Sequence, residues 1–365
     1  MNVKVDEIES TLAREWHARG AVMASTVNLV ALCTEPARLE AAKSAIEAVL
    51  PTHPGRAIVA VLREGDKPRI EADAQLACDN ERNREACGEM IVLDVYGSAV
   101  EWLPTVLDRL LRPGSRVNLW WVGDLPDDYS LYDKLTEIAD HVTVNSEEVD
   151  LRDLHTLAAR VLATKGRYAL GDINWVRLRM WQELLARFFD NPIVLPQLAH
   201  ARTLTVVATD HRRGPIEEPV SPQAVLFAAW FAGRIGARTK DAQWTHPTGR
   251  VREFAVTRPD GGTLTVKFVT ENRTDVFPGA IVRVELDTDE GSRFQVGRDP
   301  ENHRVLGWEG TCSGAVIPQA VMRTDMVDNA HMLARELDRP VRDPLFEASL
   351  AAVANLVVAY PLRRK

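Results

Sequence analysis

The side chains able to do chemistry in this chain are scattered, and the first that resemble a nucleophile are Cys312-Ser313-Gly314. A thiol or hydroxyl there needs a histidine base supplied by the fold, for which His303 and His331 are the candidates. A turn of small residues explains the same triplet without chemistry. Asp124, Asp127 and Asp128 form a second group, suited to an acid-base pair or a cation site. They also stand where a helix is expected to begin, and carboxylates there cap N–H groups and complement the helix dipole. Capping is the simpler expectation.

The common catalytic signatures are missing. No strand runs into GxGxxG, and GxxxxGK[ST], GxSxG and HExxH do not occur. The nine histidines include no i, i+4 pair, and Cys33, Cys78, Cys87 and Cys312 include no CxxC. The cysteines are expected to be four separate thiols in a reducing compartment. From the residues themselves we therefore expect no catalytic group, no cofactor and no metal. A net charge of −8 argues against nucleic acid as a partner, since phosphate binding needs a basic face. The basic clusters Arg212-Arg213 and Arg363-Arg364-Lys365 read as a loop and a solvated tail.

The tryptophans are more informative. Trp120 and Trp121 are neighbours in the apolar run RVNLWWV (116–122), so in a strand they point to opposite faces. One is expected in a core; the other either packs under helices or anchors a partner. Gly123, Asp124 and Pro126 then end the strand at its carboxyl edge, where open α/β sheets place their crevices. Trp175 and Trp181 lie six residues apart in GDINWVRLRMWQELLARFF (171–189), which separates them around a helix. Asp172 can cap that helix, and Arg177 offers a charged edge beside the rings.

The elements that position these residues follow from periodicity. TVNLVALC (26–33), RAIVAVL (56–62), EMIVLDVYG (89–97), RVNLWWV and HVTVN (141–145) read as strands, and residues 70–76 as a half-exposed strand. Helical spacing connects them, as in Val100, Leu103, Val106, Leu107 and Leu110. Beyond a link at 165–174 the texture changes. A strand at 203–208 and a helix at 221–234 precede hairpins turning at Pro259-Asp260-Gly261-Gly262 and Asp289-Glu290-Gly291. Two helices, about 327–338 and 343–360, are expected to cover this meander. The fold class expected is an α/β layered domain over residues 1–166 with a buried central sheet. An α+β domain follows over 167–365, an antiparallel meander with C-terminal helices. The first ten residues lack a basic and apolar leader pattern, and 348–362 is too short to span a bilayer, so a cytoplasmic protein is expected.

At the two tryptophan segments the sequence resembles the glucose-6-phosphate dehydrogenase assembly protein family (OpcA). NLWWVGDLP (118–126) is similar to the family's paired-tryptophan strand motif, and DINWVRLRMWQELLARFFD (172–190) to its Asp-x-x-Trp-x-Arg helix, with Gln182 where arginine is usual. THPGRAIVAVL (52–62) and AVLFAAWFAGRIG (224–236) extend the similarity. The resemblance implies a non-enzymatic assembly factor or activator that binds glucose-6-phosphate dehydrogenase and favours its active oligomer. Trp120, Trp121, Gly123, Asp124, Pro126, Asp172, Trp175, Arg177 and Trp181 are then the family-motif or partner-contact candidates. The alternative from the residues is a sugar-phosphate-binding protein or enzyme with a crevice near Gly123–Asp128.

Overall fold

The computed structural model describes residues 2–19, 25–78, 87–164, 166–210, 220–245, 251–324, 328–339 and 342–358. Arg212-Arg213 and Arg363-Arg364-Lys365 lie outside the described residues. The chain forms two units assembled from interleaved stretches. The first takes Met1–Asn145, Thr164–Ile173 and Val327–Arg342; the second takes Ser146–Ala163, Asn174–Met326 and Asp343–Lys365.

In the first unit, β1 (Asn2–Val3), β2 (Val27–Cys33), β3 (Gly55–Arg63), β4 (Arg69–Cys78), β5 (Cys87–Tyr96), β6 (Arg116–Val122), β7 (His141–Val144) and β8 (Ala169–Asp172) form one sheet. Its order is β1-β4-β5-β3-β2-β6-β7-β8. The six strands from β5 to β8 run parallel, and β4 and β1 are added antiparallel at one edge. Every residue of β2 is buried, as befits a central parallel strand covered on both faces. From β2 the chain winds outward to β3 and later returns to place β6 on the other side. That reversal makes the gap between β2 and β6 the switch point of a doubly wound sheet.

The helices of this unit are α1 (Ile8–Arg19), α2 (Leu39–Val49), α3 (Leu103–Leu110), α4 (Ser130–Thr136) and α8 (Asn329–Leu337). Two expectations are corrected here. The link at 165–174 contains β8, and α8 packs on α2 instead of covering the second sheet. Helix α8 also brings a buried carboxylate to the first sheet. Glu336 of α8 reaches His141 Nε2 at 3.3 Å and accepts from Arg339 at 2.8 Å, with both carboxylate partners enclosed. The cysteines need a third correction. Cys78 and Cys87 are register partners across β4 and β5 and form a disulfide, leaving Cys33 and Cys312 as buried thiols.

The second unit holds α5 (Leu151–Ala163), α6 (Ile173–Arg187, from its second residue), α7 (Pro222–Arg234) and α9 (Pro344–Val358). Its strands are β9 (Ala201–Thr209), β10 (Arg238–Thr245), β11 (Val251–Thr257), β12 (Thr263–Glu271), β13 (Ile281–Thr288), β14 (Arg293–Arg298), β15 (Val305–Cys312) and β16 (Ala315–Arg323). They form a sheet of order β10-β11-β12-β9-β13-β14-β15-β16. Both expected hairpins are present, but β9 is inserted parallel to β12, so the sheet is mixed instead of an antiparallel meander.

Burial alternates along its strands. Leu204, Val206, Val266, Phe268, Val284 and Leu286 fill one face, while most of their neighbours on the other are half-buried; Val207 is the exception, buried among Val276, Ala280 and Val282. Helix α7, apolar on all sides and capped by Ser221 Oγ accepting from the Ala224 N–H, is buried almost throughout. Helix α9 packs on α5, α7 and β10. Cys312 pairs with Ala315 across a two-residue turn in which Ser313 (φ 48°) and Gly314 (φ 83°) are both left-handed. The triplet is thus a hairpin turn. The far end of β15 is roughly 24 Å along the strand from Cys312, and His303 lies two residues beyond it in the chain. Among the described residues no helix is long and apolar enough to cross a membrane.

Candidate functional site

The first tryptophan segment lies beside the switch point. Trp120 and Trp121 occupy opposite faces of β6 by alternation, yet both are enclosed, with exposures of 4% and 1%. The Trp121 ring lies 5.4 Å from Tyr132 of α4, and its indole N–H donates to the Asp124 carbonyl at 3.0 Å, fixing the turn that follows. Trp120 Nε1 is buried without a hydrogen-bond partner. Asp124 is exposed and Pro126 half-buried. Asp128 accepts from the Ser130 N–H and hydroxyl at the start of α4, and these bonds hold its carboxyl below the usual range.

Gly123 (φ 104°) is required where it stands. A Cβ there would lie 2.9 Å from Thr34 Oγ1 and 3.3 Å from Glu35 Oε1. Thr34 and Glu35 belong to the turn that follows β2, where a dinucleotide-binding sheet carries glycines so that a pyrophosphate can approach the backbone. Here side chains take that space, with Arg38 3.5 Å from Glu35. Glu35, paired with Arg38, stands beside Gly123, and Asp124 follows it in the chain.

The second segment runs from the first unit, which takes it as far as Ile173, into the second, which holds the rest of α6. Asp172 is buried at the end of β8, directly before α6. Trp175 and Trp181, though on different sides of α6, are 1% and 2% exposed. Trp175 donates to Asp343 Oδ2 at 2.9 Å and packs on Phe346, while Asp343 Oδ1 accepts from the Leu345 and Phe346 N–H groups. One carboxylate therefore caps α9 and anchors an α6 ring. The Arg298 guanidinium lies 5.4 Å over Trp181. Arg177 donates to Glu147 at 2.7 Å and covers Phe277, so it too is bound within the unit. Beside it Gln223 links Asn174 to the Ile281 N–H, and Asn174 continues to Ser146.

The polar cluster missed by sequence reading lies at the opposite end of the first sheet. Arg56 and Glu89, register partners on β3 and β5, are both 1% exposed and meet at 2.7 Å. Arg112 and Trp16 also donate to Glu89, and Arg56 also binds Glu9. Burial pushes the Glu89 carboxyl up, but the hydrogen bonds from Arg112 and Arg56 outweigh it and leave it below the usual range. The signal was Arg56 within the apolar run RAIVAVL, which a buried strand tolerates only if the charge is paired.

Comparison with known proteins agrees with the motifs. A family described as the C-terminal domain of a glucose-6-phosphate dehydrogenase subunit matches residues 168–350, and the corresponding N-terminal domain matches 46–162. The OxPP cycle protein OpcA of Synechocystis is 21% identical over 331 residues, covering 85% of this chain and 65% of that one. Its Synechococcus elongatus namesake is 28% identical over 307 residues, covering 80% and 65%. The chain thus spans just under two thirds of these relatives' length. Among solved structures, an NAD-binding oxidoreductase from Klebsiella pneumoniae superposes with a TM-score of 0.50 at 10% identity, covering 92% of this chain and 96% of that one. The 3-ketoreductase KijD10 of Actinomadura kijaniata gives 0.50 at 14% identity, covering 92% and 97%. That likeness concerns fold alone. The two matched domains, together with the tryptophan strand and helix that carry the motifs, place this chain in the OpcA family of glucose-6-phosphate dehydrogenase assembly proteins.

Proposed function

We propose that this chain is a non-enzymatic partner of glucose-6-phosphate dehydrogenase that binds the enzyme and favours its active oligomer. The observation that carries the reading is the match of both family domains over residues 46–162 and 168–350. The filled turn after β2 supports a role without nucleotide chemistry, because Thr34 and Glu35 occupy the approach a pyrophosphate would need. A partner that binds the active oligomer better than other states shifts the equilibrium by its differential affinity. A coupling of roughly 1–3 kcal/mol changes the active population several-fold to a hundredfold.

In this reading Trp120, Trp121, Trp175 and Trp181 act through the scaffold. Trp121 sets the Gly123–Pro126 turn, and Trp175 sets the start of α9. The test is co-elution of purified chain with the cognate dehydrogenase, together with initial rates over a glucose 6-phosphate titration. Co-elution with a raised rate or lowered KM is expected. Separate elution with unchanged kinetics would remove the proposal. The sugar-phosphate crevice near Gly123–Asp128 is the less favoured reading, since exposed Asp124, Asp127 and Asp128 repel phosphate. It requires a saturable calorimetric signal with a sugar phosphate, and a flat titration is expected.

A further inference from the structure

The open face of the second sheet carries a polar anchor that the unit itself does not use. Across it, Thr205, Glu285, Gln295 and Glu309 lie side by side in register, and Arg283, Gly297, Gly307 and Val321 form the next row, which ends at Val207, buried among Val276, Ala280 and Val282. Gly297 and Gly307 face each other on β14 and β15, so two adjacent strands lack side chains there. A depression of about 530 Å³ opens above them, with Glu309, Gln295 and Gln319 along one side.

Most charges around it are already matched. Arg283 donates to Glu285 at 2.6 Å and lies 3.6 Å from Glu271; Arg273 is held by Asp275. Arg298 is bound to the Ile281 and His303 carbonyls. Glu309 differs. Its Oε1 accepts from the Gln295 amide at 3.1 Å and its Oε2 from the Gln319 amide at 2.6 Å, and no cation pairs with it among the described residues. Two neutral amides on adjacent strands thus orient an exposed carboxylate while leaving its charge without a counter-ion. A carboxylate has about four acceptor sites, so capacity remains for an incoming donor.

The surroundings suit a protein partner. On the edge strand β16, Val321 lines the depression and is 75% exposed, while Val316, 77% exposed, lies farther along the same strand. From β13 to β16 the open part of the face spans four strands at about 4.8 Å and about 20 Å along them, roughly 400 Å², about half of the ~800 Å² each partner contributes to a standard interface. A pre-set charge in a depression, rimmed by apolar groups, is the arrangement expected of an interface anchor.

We propose that this depression receives an arginine or lysine side chain of the dehydrogenase, with Glu309 as its acceptor and Val321 sealing the rim. The inference rests on the partnership proposed above and names its contact surface.

The full chain and its variants are titrated calorimetrically into the dehydrogenase at two salt concentrations. Glu309→Lys is expected to weaken binding by at least about tenfold, and Glu309→Gln by about threefold to tenfold with a smaller salt dependence. Val321→Asp is expected to weaken binding as well. Glu101→Lys, an exposed charge change on the first unit, is the control and leaves affinity unchanged. Melting temperatures of the Glu309 variants should equal that of the unmodified chain, because the residue is exposed. If the unmodified chain binds and both Glu309 variants bind within twofold of it, the surface assignment is overturned and the partnership stands. If the unmodified chain does not bind, both fall. If the chain alone forms a dimer that Glu309→Lys dissociates, the occupant is a second copy and the assignment to the dehydrogenase is overturned.

Discussion

Replacing Glu89 by Gln tests the polar cluster that ties β3, β5, α1 and the end of α3. The substitution keeps the volume and removes the charge. The Glu89 carboxylate receives Arg56 Nε at 2.7 Å, Arg112 Nη2 at 2.7 Å and Trp16 Nε1 at 3.0 Å. A glutamine can accept from only part of this set and turns an amide N–H toward the rest. Arg56, 1% exposed, is left with the half-exposed Glu9 and the Leu110 carbonyl. Breaking a buried pair by removing one partner costs about 3–5 kcal/mol, and because Glu9 still faces Arg56 the lower end, about 3, applies. For a unit of this size that lowers the melting temperature by roughly 6–12 °C.

The same residue sets an acid dependence. Its carboxyl is depressed in the folded state, so the stabilisation is complete above the unfolded value near ~4.3 and is lost as pH falls through the lower folded value. Glu89→Gln should flatten the decline in stability below about pH 4.3. Melting followed by circular dichroism between acidic and neutral pH measures both effects. Glu9→Gln, at a half-exposed site, should cost no more than about 1 kcal/mol. A Glu89→Gln protein that melts within a degree of the unmodified chain at neutral pH refutes the reasoning.

Other expectations follow from single contacts. A Cβ at position 171 would overlap Glu336 Oε1 and His141 Nε2, so Gly171→Ala should displace α8 and destabilise the first unit by about 1–3 kcal/mol or more, read by denaturant unfolding. Trp175→Ala removes a buried ring and its bond to Asp343, for an expected loss of about 3–5 kcal/mol; Asp343→Ala, which also uncaps α9, should cost at least about 1. Under denaturing, non-reducing conditions a thiol reagent should label Cys33 and Cys312 alone, and all four cysteines after reduction; four labels without reductant would contradict the β4–β5 bridge.

Much of the secondary structure was legible because burial imposes a period. The run VNLVALC reads as a strand covered on both faces, which it is, and the turns at 259–262 and 289–291 carry the glycines their hairpins require. The short strand β8 was not legible: four residues ending in Gly171-Asp172 look like a break until Glu336 is seen over the glycine. The edge strand β16 was equally obscure, since it is too exposed to alternate.

The tryptophan segments show the division most clearly. Their motifs resemble those of the family that the two domain matches show, and their spacing placed the rings on opposite sides of a strand and on different sides of a helix. Only the tertiary structure decided that all four rings are enclosed, because enclosure depends on what stands opposite: Tyr132 for Trp121, Phe346 for Trp175, Arg298 for Trp181. The interleaving of the two units, with α8 in the first and α9 in the second, was likewise outside the reach of sequence. Local periodicity specifies which face of an element is apolar. It does not say which distant segment will cover that face, and this is decided by the closing of buried charges such as Glu336 and by the fit of one surface against another.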